Sequence, residues 1–367
     1  MRAASESAPA AQPSCRCLGC GSAPSAGALR VLIGVLSGPR GGKARRAAIR
    51  DSWMRYSDVG VRLTVCFVLG EHGLSRRARR SLDAPDVIWM DVEETGILSI
   101  PKCFEWWRTA SRTASQFSHI AKVDDDTFVH VPKFMHALGE AVHRVPEPLV
   151  FGPMAHAGYR PHTFRMCGWS WQKSRRAWHQ LKCGERGFSA LFPFPLGAMQ
   201  VLSSGLAHDI GTWSAVHRFV AAANASSDLR QRESNEDVAL GYWIAEHAAR
   251  QRANVSYVMI NDRAPNLGCF RDGGLYRRPR AEHIVIHRVK GAEGMTYVWR
   301  QLHDGASHDP LTCARDASIE LPRNSFLFQP AFASRVRNGS VELTFNQKTN
   351  KVSIVFKPRP LKDLIKK

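Results

Sequence analysis

Long apolar runs are missing from this 367-residue chain. No stretch of about 18 apolar residues occurs, and no apolar signal-peptide core follows Met1. The chain as it stands is therefore expected to lack a membrane anchor and a secretory leader: either it is soluble, or its N-terminus is incomplete. Acidic residues are also scarce, with 32 Asp and Glu against 51 Lys and Arg, a net charge of +19. That shortage calls for an anionic partner, whether nucleic acid, anionic membrane or a phosphorylated or acidic-sugar ligand, and does not choose among them. Several signatures are absent. Gly41-Gly42 has neither GxGxxG nor Walker spacing, and there is no GxSxG, no HExxH and no RRM, KH or zinc-finger pattern. Cys15, Cys17 and Cys20 crowd the N-terminus, but no second CxxC with zinc spacing follows. The nine cysteines are an odd number, so at least one is unpaired within the chain. With Asn-x-Ser sequons at Asn224, Asn254 and Asn338 they lean toward a secretory compartment.

What is present is the composition of a globular protein, 44% hydrophobic and 23% charged. Residues 1–28 are rich in Ala, Ser, Pro and Cys without periodicity and read as a leader or stem. A strand–helix rhythm then begins. Apolar runs at 31–36, 61–69, 87–90 and 120–123 read as strands, the first buried on both faces. Between them, 43–55, 74–82 and 101–117 read as helices, the last opened by Pro101. This alternation predicts a parallel sheet covered by helices. Beyond about 145 the rhythm is less regular. Short strands are expected at 192–195, 199–202 and 284–286, and helices at 205–222, 236–250 and 291–303. From about 319 the alternation Val341, Leu343, Phe345 and Val352, Ile354, Phe356 predicts two or three strands, followed by a basic run from Lys357.

Four groups of residues could carry chemistry. The strongest is VDDDTFV, residues 123–129. Asp124, Asp125 and Asp126 stand at the carboxyl end of a predicted strand, the edge where open α/β sheets bind ligands. Adjacent carboxylates repel, and a hard cation such as Mg²⁺ or Mn²⁺ offsets that and can bridge a diphosphate. Glu236 and Asp237 follow Asn235 and fit the first turn of a capped helix; they also fit a general base, and the sequence leaves both readings open. His287, after the apolar run 284–286, fits a metal ligand or a structural histidine, and Lys290 fits a phosphate contact or a solvated lysine. Arg46 and Arg50 share one helix face after the first strand and could engage a base, ribose or phosphate.

In this order and spacing the segments RRAAIRDSW (45–53), FVLG (67–70), DVIWMDVEET (86–95), AKVDDDTFVHVPKF (121–134), FPFPLGAMQVLS (192–203), NEDVALGYW (235–243) and HRVK (287–290) resemble glycosyltransferase family 31, the β1,3-galactosyltransferase-like group. The resemblance spans roughly residues 29–303. It implies a GT-A-like, nucleotide-sugar-binding α/β sandwich with a mixed, mainly parallel central sheet, here extended by a short β-rich C-terminal segment. The domains expected are the leader 1–28, a catalytic domain 29–318 with a donor half 29–145 and an acceptor half 146–318, and the extension 319–367. The implied reaction is inverting transfer of a hexose, galactose or N-acetylglucosamine, from a UDP-sugar to a sugar hydroxyl, forming a β1,3 linkage on a glycan or glycoprotein acceptor. By that likeness Mn²⁺ is held by Asp126 and His287, and Asp237 is the base, supported by Glu236. Asp124, Asp125, Arg46, Arg50 and Lys290 fall on the nucleotide side. Golgi residence follows by analogy, with no specific nucleic-acid partner, and with membrane attachment only through an anchor absent from this sequence. The chain departs from the family at Gly197-Ala198-Met199-Gln200, where a glycine-rich run with an aromatic is usual, and at Met54, where the family has Gly. Two other readings compete: a polyanion or nucleic-acid binder, and a catalytically inactive scaffold of the same fold.

Overall fold

The computed structural model describes residues 28–39, 41–94, 100–112, 116–161, 165–167, 189–225, 236–267, 279–289 and 291–303, with three strands beyond. The first elements are β1 (Val31–Leu36), α1 (Gly42–Arg50), β2 (Leu63–His72), α2 (Arg76–Leu82), β3 (Val87–Glu93), α3 (Ile100–Ser111), β4 (His119–Asp124), β5 (Phe128–Val129) and α4 (Val131–Arg144). They are followed by β6 (Leu149–Gly152), β7 (Met154–Arg160), β8 (Arg165–Cys167), β9 (Phe192–Pro195), β10 (Gln200–Ser203), α5 (Ser204–Thr212), α6 (Ser214–Ala225) and α7 (Glu236–Gln251). Last come β11 (Ser256–Met259), β12 (Val285–Ile286), α8 (Gly291–His303), β13 (Ile319–Leu321), β14 (Val341–Asn346) and β15 (Lys351–Phe356).

Seven strands form the central sheet in the order β11-β6-β10-β4-β1-β2-β3. The pairs β1–β2, β1–β4, β2–β3 and β6–β11 are parallel, and β10 runs antiparallel to β4 and β6. The sheet is thus the mixed, mainly parallel one expected. β1 and β4 are buried along their whole length, as strands covered by helices on both faces must be. Gly34 is required where α3 lies on the sheet: a Cβ there would stand 2.4 Å from the Trp106 ring, whose Nε1 donates to the Ala121 carbonyl at 3.1 Å. Trp106, Trp107, Phe104 and Cys103 of α3 join Leu206 and Ile210 of α5 and Leu240, Trp243 and Ile244 of α7 in one apolar core. Each buried aromatic or aliphatic side chain there is worth roughly 1.5–3 kcal/mol of transfer free energy.

The region beyond residue 145 carries more strands than expected. β7 pairs antiparallel with β9 and β8 in a small sheet, and β6 and β11 extend the main one. The single helix expected over 205–222 is two, because Trp213 has ψ 118°, an extended value that breaks the helical path between α5 and α6. No helix among the described residues is long and apolar enough to cross a membrane.

The chain divides into two compact units, one containing the central sheet and one containing the C-terminal strands. In the second, β13, β15 and β14 form an antiparallel sheet in that order, and the register pairs Val341 with Phe356, Leu343 with Ile354 and Phe345 with Val352. Residues 1–27 of the expected leader, the three N-terminal cysteines, Asn338 and the basic run from Lys357 lie outside the described residues.

Candidate active site

The central sheet places Asp124 at the carboxyl end of β4, level with Leu36 of β1. The chain then turns through Asp125 and Asp126 into β5, which pairs antiparallel with β12: Ile286 faces Phe128 and Val285 faces Val129. That pairing brings His287, far downstream in sequence, across from Asp126. The Val289 amide donates to the Asp126 carbonyl at 2.8 Å and closes the clasp. Arg288 takes a left-handed φ of 62°, a strained conformation for a side-chain-bearing residue.

Asp124, Asp126 and His287 each offer a ligand atom, and these atoms lie within 4.8 Å of one another. His287 Nε2 is 3.2 Å from Asp126 Oδ1 and 3.5 Å from Asp124 Oδ2. Its Nδ1 is 3.0 Å from Asn266 Oδ1, an acceptor. The ring therefore donates through Nδ1 and turns Nε2 to the carboxylates, the support a metal-binding imidazole needs. Two hard carboxylates and one imidazole suit Mn²⁺ or Mg²⁺. Without a cation, burial lowers the His287 pKa, but hydrogen bonds to Asp124 and Asp126 outweigh it and raise it to about 9. Burial alone would raise Asp124, yet the Lys122 ammonium and His287 hold it at about 2.

A second carboxylate pair meets this cluster from α7. Lys122, fully buried within β4, donates from Nζ to Asp124 Oδ1 at 2.7 Å and to Glu236 Oε1 at 3.2 Å. The adjacent carboxylates keep the Lys122 ammonium charged. Burial, Asp237 and Asp124 push Glu236 up to about 8, so its protonated form is favoured at neutral pH. Its Oε2 has no hydrogen-bond partner within the protein. Asp237 is half-buried, and its Oδ2 accepts the Gly197 amide at 3.0 Å. The Gly197 carbonyl in turn accepts the Asp124 amide at 3.1 Å. A Cβ at 197 would stand 2.6 Å from Asp124 Oδ2 and 3.1 Å from Lys122 Nζ, so only glycine passes this gap.

The structure thus brings together Asp124, Asp126, His287, Glu236 and Asp237. It does not bring Asp125 into the cluster: its oxygens accept from Ser37 Oγ at 2.8 Å and Arg45 Nη1 at 2.6 Å, which ties the β1–α1 loop to β4. Arg46 is buried on α1 and reaches back to that loop, donating from Nη1 to Ser37 Oγ at 2.8 Å and the Gly38 carbonyl at 3.0 Å. Arg50 holds Asp86 through two hydrogen bonds of 2.7 and 2.8 Å, with its guanidinium over the Phe67 ring. Asp86 precedes β3, three strand positions from β4, or about 14 Å. Lys290 lies outside the described residues. The residues that sequence reasoning missed are Lys122, Asn266, Gly197 as a bridge, and the Arg45 partner of Asp125. Lys122 had a readable signal, a lone cation inside an otherwise apolar strand.

A family model described as Galactosyltransferase matches residues 44–254, more than half of the chain. That span contains all three Asp residues of the triplet and the Glu236-Asp237 pair. No curated protein matches the sequence significantly. Among solved structures the fold is similar to mouse xyloside xylosyltransferase 1 in its apo form, at 12% identity and TM-score 0.34, covering 71% of this chain and 97% of that one. It is also similar to a glycosyltransferase involved in glycosylation of the major capsid of PBCV-1, at 9% identity and TM-score 0.35, covering 73% of this chain and 98% of that one. At these scores the architecture rests on the sheet topology and the family match.

Proposed function

This chain belongs to the galactosyltransferase family and is a glycosyltransferase, and on that premise we propose that it moves galactose or N-acetylglucosamine from a UDP-sugar to position 3 of an acceptor sugar, with inversion and with Mn²⁺ as cofactor. One observation carries the reading: the Asp124–Asp126–His287 cluster stands at the carboxyl edge of β4, joined through Gly197 to the half-buried carboxylate of Asp237. In this reading Asp126 and His287 hold the cation, and Asp124 faces the ribose. When bound, the cation supplies Lewis-acid neutralisation of the departing diphosphate. Asp237 accepts the proton of the acceptor hydroxyl as its oxygen bonds to the anomeric carbon and the carbon–oxygen bond to UDP breaks. The Gly197 amide orients that carboxylate. Glu236, buried behind it and favouring its protonated form, keeps a second negative charge away from the base.

The acceptor in this proposal is a glycan or glycoprotein, and the site of action is the Golgi lumen. A disulfide at Cys66 and the exposed sequon residues Asn224 and Asn254 support an oxidising, glycosylating compartment. A second reading, an anionic-polymer partner, is favoured by α2: it carries four arginines and has no buried residue. An acidic acceptor glycan satisfies both readings.

The test is thermal stability with Mn²⁺ in the presence of UDP-galactose, UDP-N-acetylglucosamine, UDP-glucose or GDP-mannose. A ligand present at 100 times its dissociation constant stabilises the native state by about 2.7 kcal/mol. A metal-dependent rise with one UDP-sugar is expected and names the donor. Folded protein that shifts with none of them overturns the reading.

A further inference from the structure

Lys122 is a fully buried cation in contact with Asp124 and Glu236, and the reaction described above gives it no task. It occupies the strand position between Ala121 and Val123, in a run where every residue is buried. An ammonium hidden there is costly to desolvate, and an apolar side chain of similar size would often serve stability as well or better. Its two partners come from opposite sides of the site. Asp124 Oδ1, at 2.7 Å, belongs to the strand that leads into the proposed metal ligands. Glu236 Oε1, at 3.2 Å, belongs to the first residue of α7, directly before the proposed base. Around the same ammonium runs a second tie, the Asp124 amide to the Gly197 carbonyl and the Gly197 amide to Asp237 Oδ2. All the partners of this network are buried except Asp237, which is half-buried.

We propose that Lys122 is a positioning residue, which fixes the start of α7 against the end of β4 and so sets the spacing between Asp237 and a donor held at Asp124 and Asp126. The inference rests on the transferase reading. Its physical content is that one ammonium hydrogen-bonded to both Asp124 and Glu236 defines a distance, which an apolar side chain at 122 leaves unset. Among the described residues Lys122 pairs with Asp124 and Glu236 and not with Asp126 or His287, so its loss leaves those two ligands in place.

The test uses the full chain and four variants: Lys122→Met, Lys122→Arg, Glu236→Gln and the double variant Lys122→Met/Glu236→Gln. The readouts are melting temperature, Mn²⁺-dependent UDP affinity, and UDP release from UDP-galactose and UDP-N-acetylglucosamine with p-nitrophenyl β-galactoside as acceptor. Lys122→Met is expected to lower kcat by about 100-fold, the scale of an ångström-sized misplacement. Its UDP affinity changes less than about fivefold, a kcat-against-binding split that general destabilisation does not produce. Lys122→Arg, which keeps the charge, recovers about tenfold of the lost kcat. The double variant melts closer to wild type, because only Asp124, and no longer Glu236, loses its ammonium partner as an acid, yet turns over no faster than Lys122→Met, since the pair acts as a unit. Should folded Lys122→Met or the double variant keep kcat within about threefold of wild type, the inference is overturned while the transferase reading stands. Should the wild-type chain neither bind UDP with Mn²⁺ nor release it from either donor, both fall together.

Discussion

Two clusters of one histidine and two carboxylates stand along the same sheet. One is Asp124, Asp126 and His287 at the end of β4; the other is Glu71, His72 and Asp91 on β2 and β3. In both, the ligand atoms lie within 4.8 Å of one another. They differ in what surrounds them. Side-chain exposure is 9%, 16% and 22% in the first cluster but 27%, 57% and 76% in the second. The first is backed by Lys122, Asn266 and the Gly197 backbone. The second has Arg79, which holds Glu71 at 3.0 Å, and a solvated contact of 2.5 Å between His72 and Asp91. Residue type and spacing are therefore shared, and the supporting shell is what separates a site from a surface ion pair. Exposed pairs of the second kind contribute about 0–1 kcal/mol and are screened by salt.

The largest expected break in this comparison is Asp126→Ala. It should weaken Mn²⁺-dependent UDP binding by more than about 100-fold, read by titration calorimetry, since losing even an outer-shell partner costs 10–100-fold. Asp237→Asn comes next in the sense that it separates chemistry from binding. Turnover should fall by roughly 10²–10⁴ while UDP affinity stays near wild type; near-normal turnover would remove Asp237 as base. A third test uses pH on metal-free protein. The His287 pKa rises from 6.5 to about 9 on folding, so its stabilisation is fully present below pH 6.5 and is lost as pH climbs to 9. The loss is at most roughly 3 kcal/mol. Glu236, raised to about 8, acts in the same direction over the lower window from 4.5. His287→Gln should flatten the upper part of the curve, and Mn²⁺ should oppose it, because the cation takes the neutral imidazole. The smallest effect is expected at the outer cluster: Asp91→Ala should change stability by less than about 0.5 kcal/mol and leave UDP binding intact. A large loss of Mn²⁺-dependent binding there would erase the distinction between the two clusters.

The part of the fold up to residue 145 was legible because its strands are buried on both faces and read as continuous apolar runs, as in Val31–Leu36. The part beyond was less so. β7 reads MAHAGYR, with none of the β-branched residues that announce a strand, and its partner β9 is distant in sequence. The four residues of β10, QVLS, do not reveal that it runs antiparallel, since direction is set by the turn at 196–199 and by the neighbours already in the sheet. Within the site, Asp126, His287 and Asp237 stood out by residue type. Arg50 stood out equally, by its place on a basic helix, but the structure engages it with Asp86, a partner that no local pattern in the sequence indicates. Lys122 and Gly197 act through contacts between segments remote in the chain, which a reading of adjacent residues does not weigh.

The clasp of β5 with β12 also puts a clock on the site. At about 5–20 residues per second of synthesis, the ribosome takes roughly 10–30 s to travel from Asp126 to His287. Throughout that interval the nascent chain carries its aspartates without their imidazole, and the cluster is incomplete however well β1 to β4 have already packed. If the cluster holds a cation as proposed, that competence arrives late, with one of the last segments of the sheet-bearing unit, and donor binding would mark that the unit is finished.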